Sequence, residues 1–109
     1  MSSQPSTKKF LTVTQIVNQE FNRLTDEELA HLETISLEDM LGFHHTAGMG
    51  IRNEYHLWDK ENPLTAQWFA DNEAGQNKYL KDGVDYSPFH PDAVSNDILK
   101  YLWVKVHEQ

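Results

Sequence analysis

Apolar residues recur at helical spacing in several stretches of this chain, and most of these stretches open on a capping signal. Val13, Ile16, Val17, Phe21 and Leu24 share one face, and Thr12 with Gln15 three residues on matches a capping box. A first helix is therefore expected over 12–24. Thr25-Asp26-Glu27-Glu28 repeats the start signal, with acids in the first turn where the helix dipole favours them. Leu29 and Leu32 give this short second helix one apolar edge, and two capped helices back to back predict a sharp corner. Val94, Ile98, Leu102 and Val106, widened by Leu99 and Trp103, mark a last helix beginning near Pro91-Asp92. This last helix carries the clearest periodicity in the chain.

Between them, Ser36-Leu37-Glu38-Asp39 opens a segment in which Leu37, Met40, Leu41, His44, Ala47, Gly48, Ile51 and Tyr55 follow i, i+3, i+4 spacing. Gly42, Gly48 and Gly50 oppose a helix there by about 1 kcal/mol each relative to alanine. The pattern predicts a continuous or slightly kinked helix over 36–58, its glycines admitting another backbone or a ligand. A break near Gly48-Met49-Gly50 is the competing reading. Asn62-Pro63 is a helix-start signal for a short segment over 63–70 that carries Leu64, Trp68 and Phe69. From 71 to 90 no period is evident, and Gly75, Asp82-Gly83 and Ser87-Pro88 mark turns. Such a long loop is either packed down by Tyr79, Leu80, Val84, Tyr86 and Phe89 or mobile. The chain shows no internal repeat, strand pattern or interdomain linker. Trp58, Trp68 and Trp103 are most simply core anchors, an exposed pair being the mark of a partner-binding hot spot.

Composition narrows the class of protein. The 109 residues suit one domain, taken as 10–109, and the 39% hydrophobic content implies a thin core. Residues 1–9 are expected to be a disordered tail with no signal-peptide core, which makes the cytoplasm the expected compartment. No apolar run reaches the length of a membrane span. Without cysteine there is no disulfide, thiolate catalysis or Cys-based zinc site. The net charge of −8 is uneven: residues 1–24 carry three basic side chains against one acidic, the remainder six against sixteen. So acidic a surface repels phosphate backbones, which argues against direct nucleic-acid binding. It either favours a protein partner with a basic surface or, on the plainer reading, only keeps a small protein soluble.

The residues able to carry chemistry cluster in 36–58. On a continuous helix His44 and Arg52 share a face with Gly48 midway, while His45, Met49 and Asn53 form the next stripe. Arg52 and Asn53 are candidates to hold an anionic ligand, and His44 or His45 to move a proton near neutral pH. The plainer reading is a buried polar network that fixes helix packing. His90 and Asp92 are further ligand-binding candidates, and would complete a metal cluster with His44 or His45. The spacing contains neither HxxxH nor HExxH, so no metal and no cofactor is expected. His31, His56 and His107 read as surface or helix-end residues. There is no Gly-x-Ser-x-Gly and no glycine-rich phosphate loop.

The run His44-His45-Thr46-Ala47-Gly48-Met49-Gly50-Ile51-Arg52-Asn53-Glu54-Tyr55-His56-Leu57-Trp58 resembles the HHxxGxxIRNxxxLW signature of an uncharacterised bacterial domain family. That family's second pattern, HPDxxSxxILxxLW, is matched by His90-Pro91-Asp92-Ala93-Val94-Ser95-Asn96-Asp97-Ile98-Leu99-Lys100-Tyr101-Leu102-Trp103. The resemblance spans roughly 29–107. It implies no activity, but it does imply that His44, His45, Arg52, Asn53, His90 and Asp92 belong together. Ala93 stands where members often carry a second acid, which weakens any scheme needing two carboxylates there.

These readings converge on an all-α, compact single domain of four to five helices with one long ordered loop over about 71–90. The 36–58 segment is expected at its centre, with the 91–107 helix packed against it. The expected function is that of a small acidic interaction protein, a regulator or inhibitor binding another protein. Size and charge suggest phage or mobile-element origin, and self-association stays open. The alternative is a small ligand-binding or catalytic domain using the His/Arg/Asn cluster on an anionic substrate.

Overall fold

The computed structural model describes residues 10–108, and at His44 the backbone alone. The expected tail over 1–9 lies outside the described residues. Among the described residues six α-helices form the body: α1 (Val13–Arg23), α2 (Asp26–Thr34), α3 (Leu37–Leu41), α4 (Ala47–Glu54), α5 (Ala66–Glu73) and α6 (Pro91–His107). Both expected capping boxes are present. The Thr12 hydroxyl accepts from Gln15 N–H at 3.2 Å while Gln15 Oε1 accepts from Thr12 N–H at 2.9 Å. Thr25 and Glu28 repeat the exchange at 3.1 and 2.9 Å. Because α1 ends at Arg23 and the next cap is Thr25, the two helices meet at the corner their sequence predicts.

The 36–58 segment departs from a single helix. Its winding tightens to a 3₁₀ turn over Gly42–His45, Thr46 leaves ordinary helical geometry, and α4 resumes at Ala47. The interruption falls at 42–46, before the expected weak point at Gly48-Met49-Gly50. Division of this segment is why there are six helices rather than four or five. At two of its glycines this chain makes no close approach. A Cβ built at Gly42 or Gly50 meets nothing within 4 Å, so neither admits a neighbour from this chain.

The centre of the fold is α6, against which α1, α2, α3 and α4 all pack. Val94, Ile98, Leu99, Leu102 and Val106 give it an apolar face broad enough for four neighbours. Ile16 and Val17 of α1, Leu32 of α2, Met40 of α3 and Ile51 of α4 complete the core around it. The expected hierarchy is thus reversed, with the 36–58 segment one of several elements arranged on the last helix.

The connection from α4 to α5 is built on side-chain hydrogen bonds rather than on the expected helix at Asn62-Pro63. His56 takes a left-handed conformation (φ 58°), and Leu57 N–H donates to the Arg52 carbonyl at 2.9 Å, which closes α4 in the manner of a Schellman cap. Asn62 is fully buried. Its Nδ2 donates to the Tyr55 and His56 carbonyls at 3.1 and 3.2 Å, and its Oδ1 accepts from Leu64 N–H at 2.9 Å. The buried Thr65 hydroxyl donates to the Leu57 carbonyl at 2.8 Å. Three carbonyls left over at the end of α4 are thereby satisfied, and α5 begins only at Ala66.

A two-stranded hairpin that the sequence reading missed occupies the long loop. Strands β1 (Leu80–Lys81) and β2 (Val84–Asp85) pair antiparallel, Leu80 opposite Asp85 and Lys81 opposite Val84. Asp82 and Gly83 both have positive φ (51° and 80°), the requirement of a type I′ turn. Among the described residues no helix is long and apolar enough to cross a membrane.

Candidate functional site

Arg52 lies near the end of α4, on the side that faces α6, and is only 7% exposed. Its Nη1 donates to the Ser95 hydroxyl at 2.8 Å and sits 3.2 Å from Asp92 Oδ1. Ser95 in turn donates to the Asp92 carbonyl at 2.9 Å, one helical turn back. Arg52 thus reaches a carboxylate and a hydroxyl spaced three residues apart on one helix. The carboxylate is half exposed, so the pair is partly screened and its strongest element is the buried bond to Ser95. Ser95 itself is fully buried.

His90 is the N-cap of α6. Its Nδ1 accepts from Asp92 N–H at 3.0 Å. The same ring packs edge-on against two indoles, 5.0 Å from Trp68 and 6.1 Å from Trp58 between centroids. Trp58 and Trp68 also meet at 6.1 Å. The cluster joins the end of the 36–58 segment, α5 and the start of α6.

The expected companions of this cluster part company. Asp92 lies within 4 Å of both Arg52 and His90, at 3.2 and 3.9 Å. Asn53 is exposed, as are His45 and Met49 beside it in sequence and stripe. The side chain of His44 lies outside the described residues. Among the described residues no group of three or more His, Cys, Asp or Glu side chains gathers in a way that could hold a metal ion.

Trp58 corrects the reading of the tryptophans as core anchors, since it is 48% exposed. Trp103 is half-buried, its Nε1 donating to the Ile35 carbonyl at 3.0 Å, and His107 stacks on it. Trp68 is held by Asp85, a residue the sequence did not single out. Asp85 Oδ2 accepts from Trp68 Nε1 at 2.6 Å and from Asn77 Nδ2 at 2.9 Å, and Oδ1 accepts from Ser87 N–H at 2.8 Å. Burial raises the Asp85 pKa, but these three donors and the nearby His90 outweigh it and hold the carboxyl below its ordinary range. Asp85 thereby fastens the hairpin to α5. The available signal was Asp82-Gly83 between two short apolar-polar pairs, which marks a two-residue hairpin with Asp85 at its foot.

A shallow depression beside this cluster is lined by Asp85, Ser87, His90, Asp92 and Asn96 among others. Asn96 Oδ1 is buried there with no hydrogen-bond partner among the described residues.

Tyr55, the C-cap of α4, donates to Glu20 Oε2 at 2.9 Å and accepts from Gln19 Nε2 at 3.0 Å. Burial first, and the bond to Glu20 second, push the phenol well above its usual value and keep it a donor. Comparison with family models, curated proteins and solved structures finds no match to this chain. The resemblance to the two-motif family therefore rests on the motif residues themselves.

Proposed function

We propose that this chain is a non-enzymatic interaction protein, a small acidic regulator or inhibitor that works by binding another protein with a basic surface. The observation that carries the reading is the engagement of Arg52. It is the candidate best suited to grip an anion, and it is buried against Ser95 and Asp92 as a tie between α4 and α6. The large side chains left in solvent suit a binding surface: Trp58, Tyr86 and Phe89, with Leu80 and Val84 on the hairpin. Aromatic residues at such positions supply much of the energy of protein interfaces. The net charge of −8 favours a basic partner and speeds the encounter. A phage or mobile-element source remains part of the proposal on size and charge.

Two measurements test it. Thermal unfolding with inorganic phosphate, against sodium chloride at equal ionic strength, is expected to show no specific stabilisation, while Arg52→Ala lowers the unfolding temperature. If Arg52→Ala stays as stable as wild type and abolishes a phosphate-specific stabilisation, the ligand-binding alternative replaces this reading. Comparative capture with wild type and a Trp58→Ser/Tyr86→Ser variant of equal stability supplies the second arm. A captured protein should be lost with the variant.

A further inference from the structure

An apolar cleft of about 400 Å³ opens on the face formed by α1, α2, α3 and α4. Its floor is the core itself: Leu32, Met40, Ile51, Leu99 and Leu102 line it. Phe43, 38% exposed, and Gly50 stand at its mouth. The rim is acidic, with Glu20, Glu28 and Glu54 set against the single guanidinium of Arg23, which pairs with Glu20 and Glu54.

Gly50 is the informative residue. It sits inside α4, where glycine costs about 1 kcal/mol relative to alanine. A Cβ there meets nothing within 4 Å and φ is not positive, so neither packing within this chain nor backbone geometry requires glycine. What its bare backbone does is leave the cleft open between α4 and its acidic rim. The volume matches one or two large apolar side chains, and the surplus of two negative charges matches cations beside them.

We propose that this cleft is the docking site for a segment of a partner protein that inserts a large apolar side chain flanked by lysine or arginine. The proposal rests on the interaction reading above and gives it a contact surface separate from Trp58 and the hairpin. The apolar anchor displaces water from the floor, and the flanking cations engage Glu28 and Glu54. Gly50 allows the partner backbone to approach α4.

Selection of displayed random 12-residue peptides on the folded chain tests this directly, followed by affinity measurement of the enriched peptides. Those peptides are expected to share a Leu, Phe, Trp or Met beside Lys or Arg. Gly50→Trp, whose Cβ meets no neighbour, places an indole at the mouth and should weaken them roughly tenfold or more, about 1.4 kcal/mol, with the unfolding temperature no lower than that of wild type. Gly50→Ala, which favours the helix, controls for the backbone and should stabilise the fold. Glu54→Lys is expected to weaken binding at low salt more than at high salt. Enriched peptides that are acidic, or that bind Gly50→Trp as tightly as wild type, overturn the proposal. If those peptides are lost with Trp58→Ser instead, the cleft is the wrong surface and the interaction reading stands. If no peptide is enriched on any variant, both are lost.

Discussion

Arg52 Nη1 and Ser95 Oγ meet at 2.8 Å across the interface of α4 and α6, both residues buried. The pairing turns the most basic side chain of the 36–58 segment into a structural tie. Removing it should cost more than removing the carboxylate beside it. Arg52→Ala loses a packed side chain and a charge-assisted bond, and is expected to destabilise by about 3 kcal/mol. Asp92→Asn removes a half-exposed charge and should cost under about 1 kcal/mol. Urea unfolding of both variants checks the order, and equal losses would show that the ion pair, not the serine, holds the helices.

Asn62 spans the end of α4 and the start of the next connection with three hydrogen bonds. Asn62→Ala strands the Tyr55 and His56 carbonyls and the Leu64 amide, and the loss expected is about 2–3 kcal/mol. Asn62→Asp, nearly the same size, keeps an acceptor for Leu64 but cannot donate to the two carbonyls. It should therefore be at least as damaging at neutral pH. A stable Asn62→Asp protein, seen by thermal unfolding, would contradict this account.

Asp85 makes stability depend on pH in a defined direction. Its carboxyl is held below the ordinary range, so folding binds the ionised form more strongly. That contribution is complete above the unfolded-state value, about 3.9, and is lost as pH falls through the lower folded-state value. The difference in unfolding free energy between wild type and Asp85→Asn should be greater at pH 7 and shrink below about pH 4. Urea midpoints at pH 7 and pH 3 measure it, and a gap that widens with acid reverses the sign.

His56 occupies a left-handed position where glycine is at ease. His56→Gly is expected to stabilise by up to about 1 kcal/mol, offset by loss of its edge contact with Phe10 at 6.5 Å. His56→Val, whose branched Cβ tolerates that conformation poorly, should destabilise by about 1–2 kcal/mol. Thermal unfolding separates the two.

Much of this architecture is written in short-range signals. Thr12, Thr25 and Ser36 announce helix starts because capping is a local hydrogen bond within four residues. The stripe from Val94 to Val106 announces α6, but periodicity cannot say how many neighbours a face receives, so its central place was hidden. Arg52 and Asp92 were legible as companions only through the paired motifs, and Ser95 went unremarked although it lies in the second of them. Asn62 signalled a helix cap and became a buried bridge, because its partners, the Tyr55 and His56 carbonyls, are freed only by the turn at His56. The hairpin escaped notice because two-residue strands give period-2 alternation no length over which to show.

The central position of α6 bears on how the chain acquires its fold during synthesis. Helices α1 to α4 leave the ribosome before the surface on which they assemble exists. Their apolar edges remain exposed to chaperones and to one another until residues 91–107 emerge. Assembly is then expected to be abrupt, and a nascent chain stalled before residue 91 should be protease-sensitive throughout.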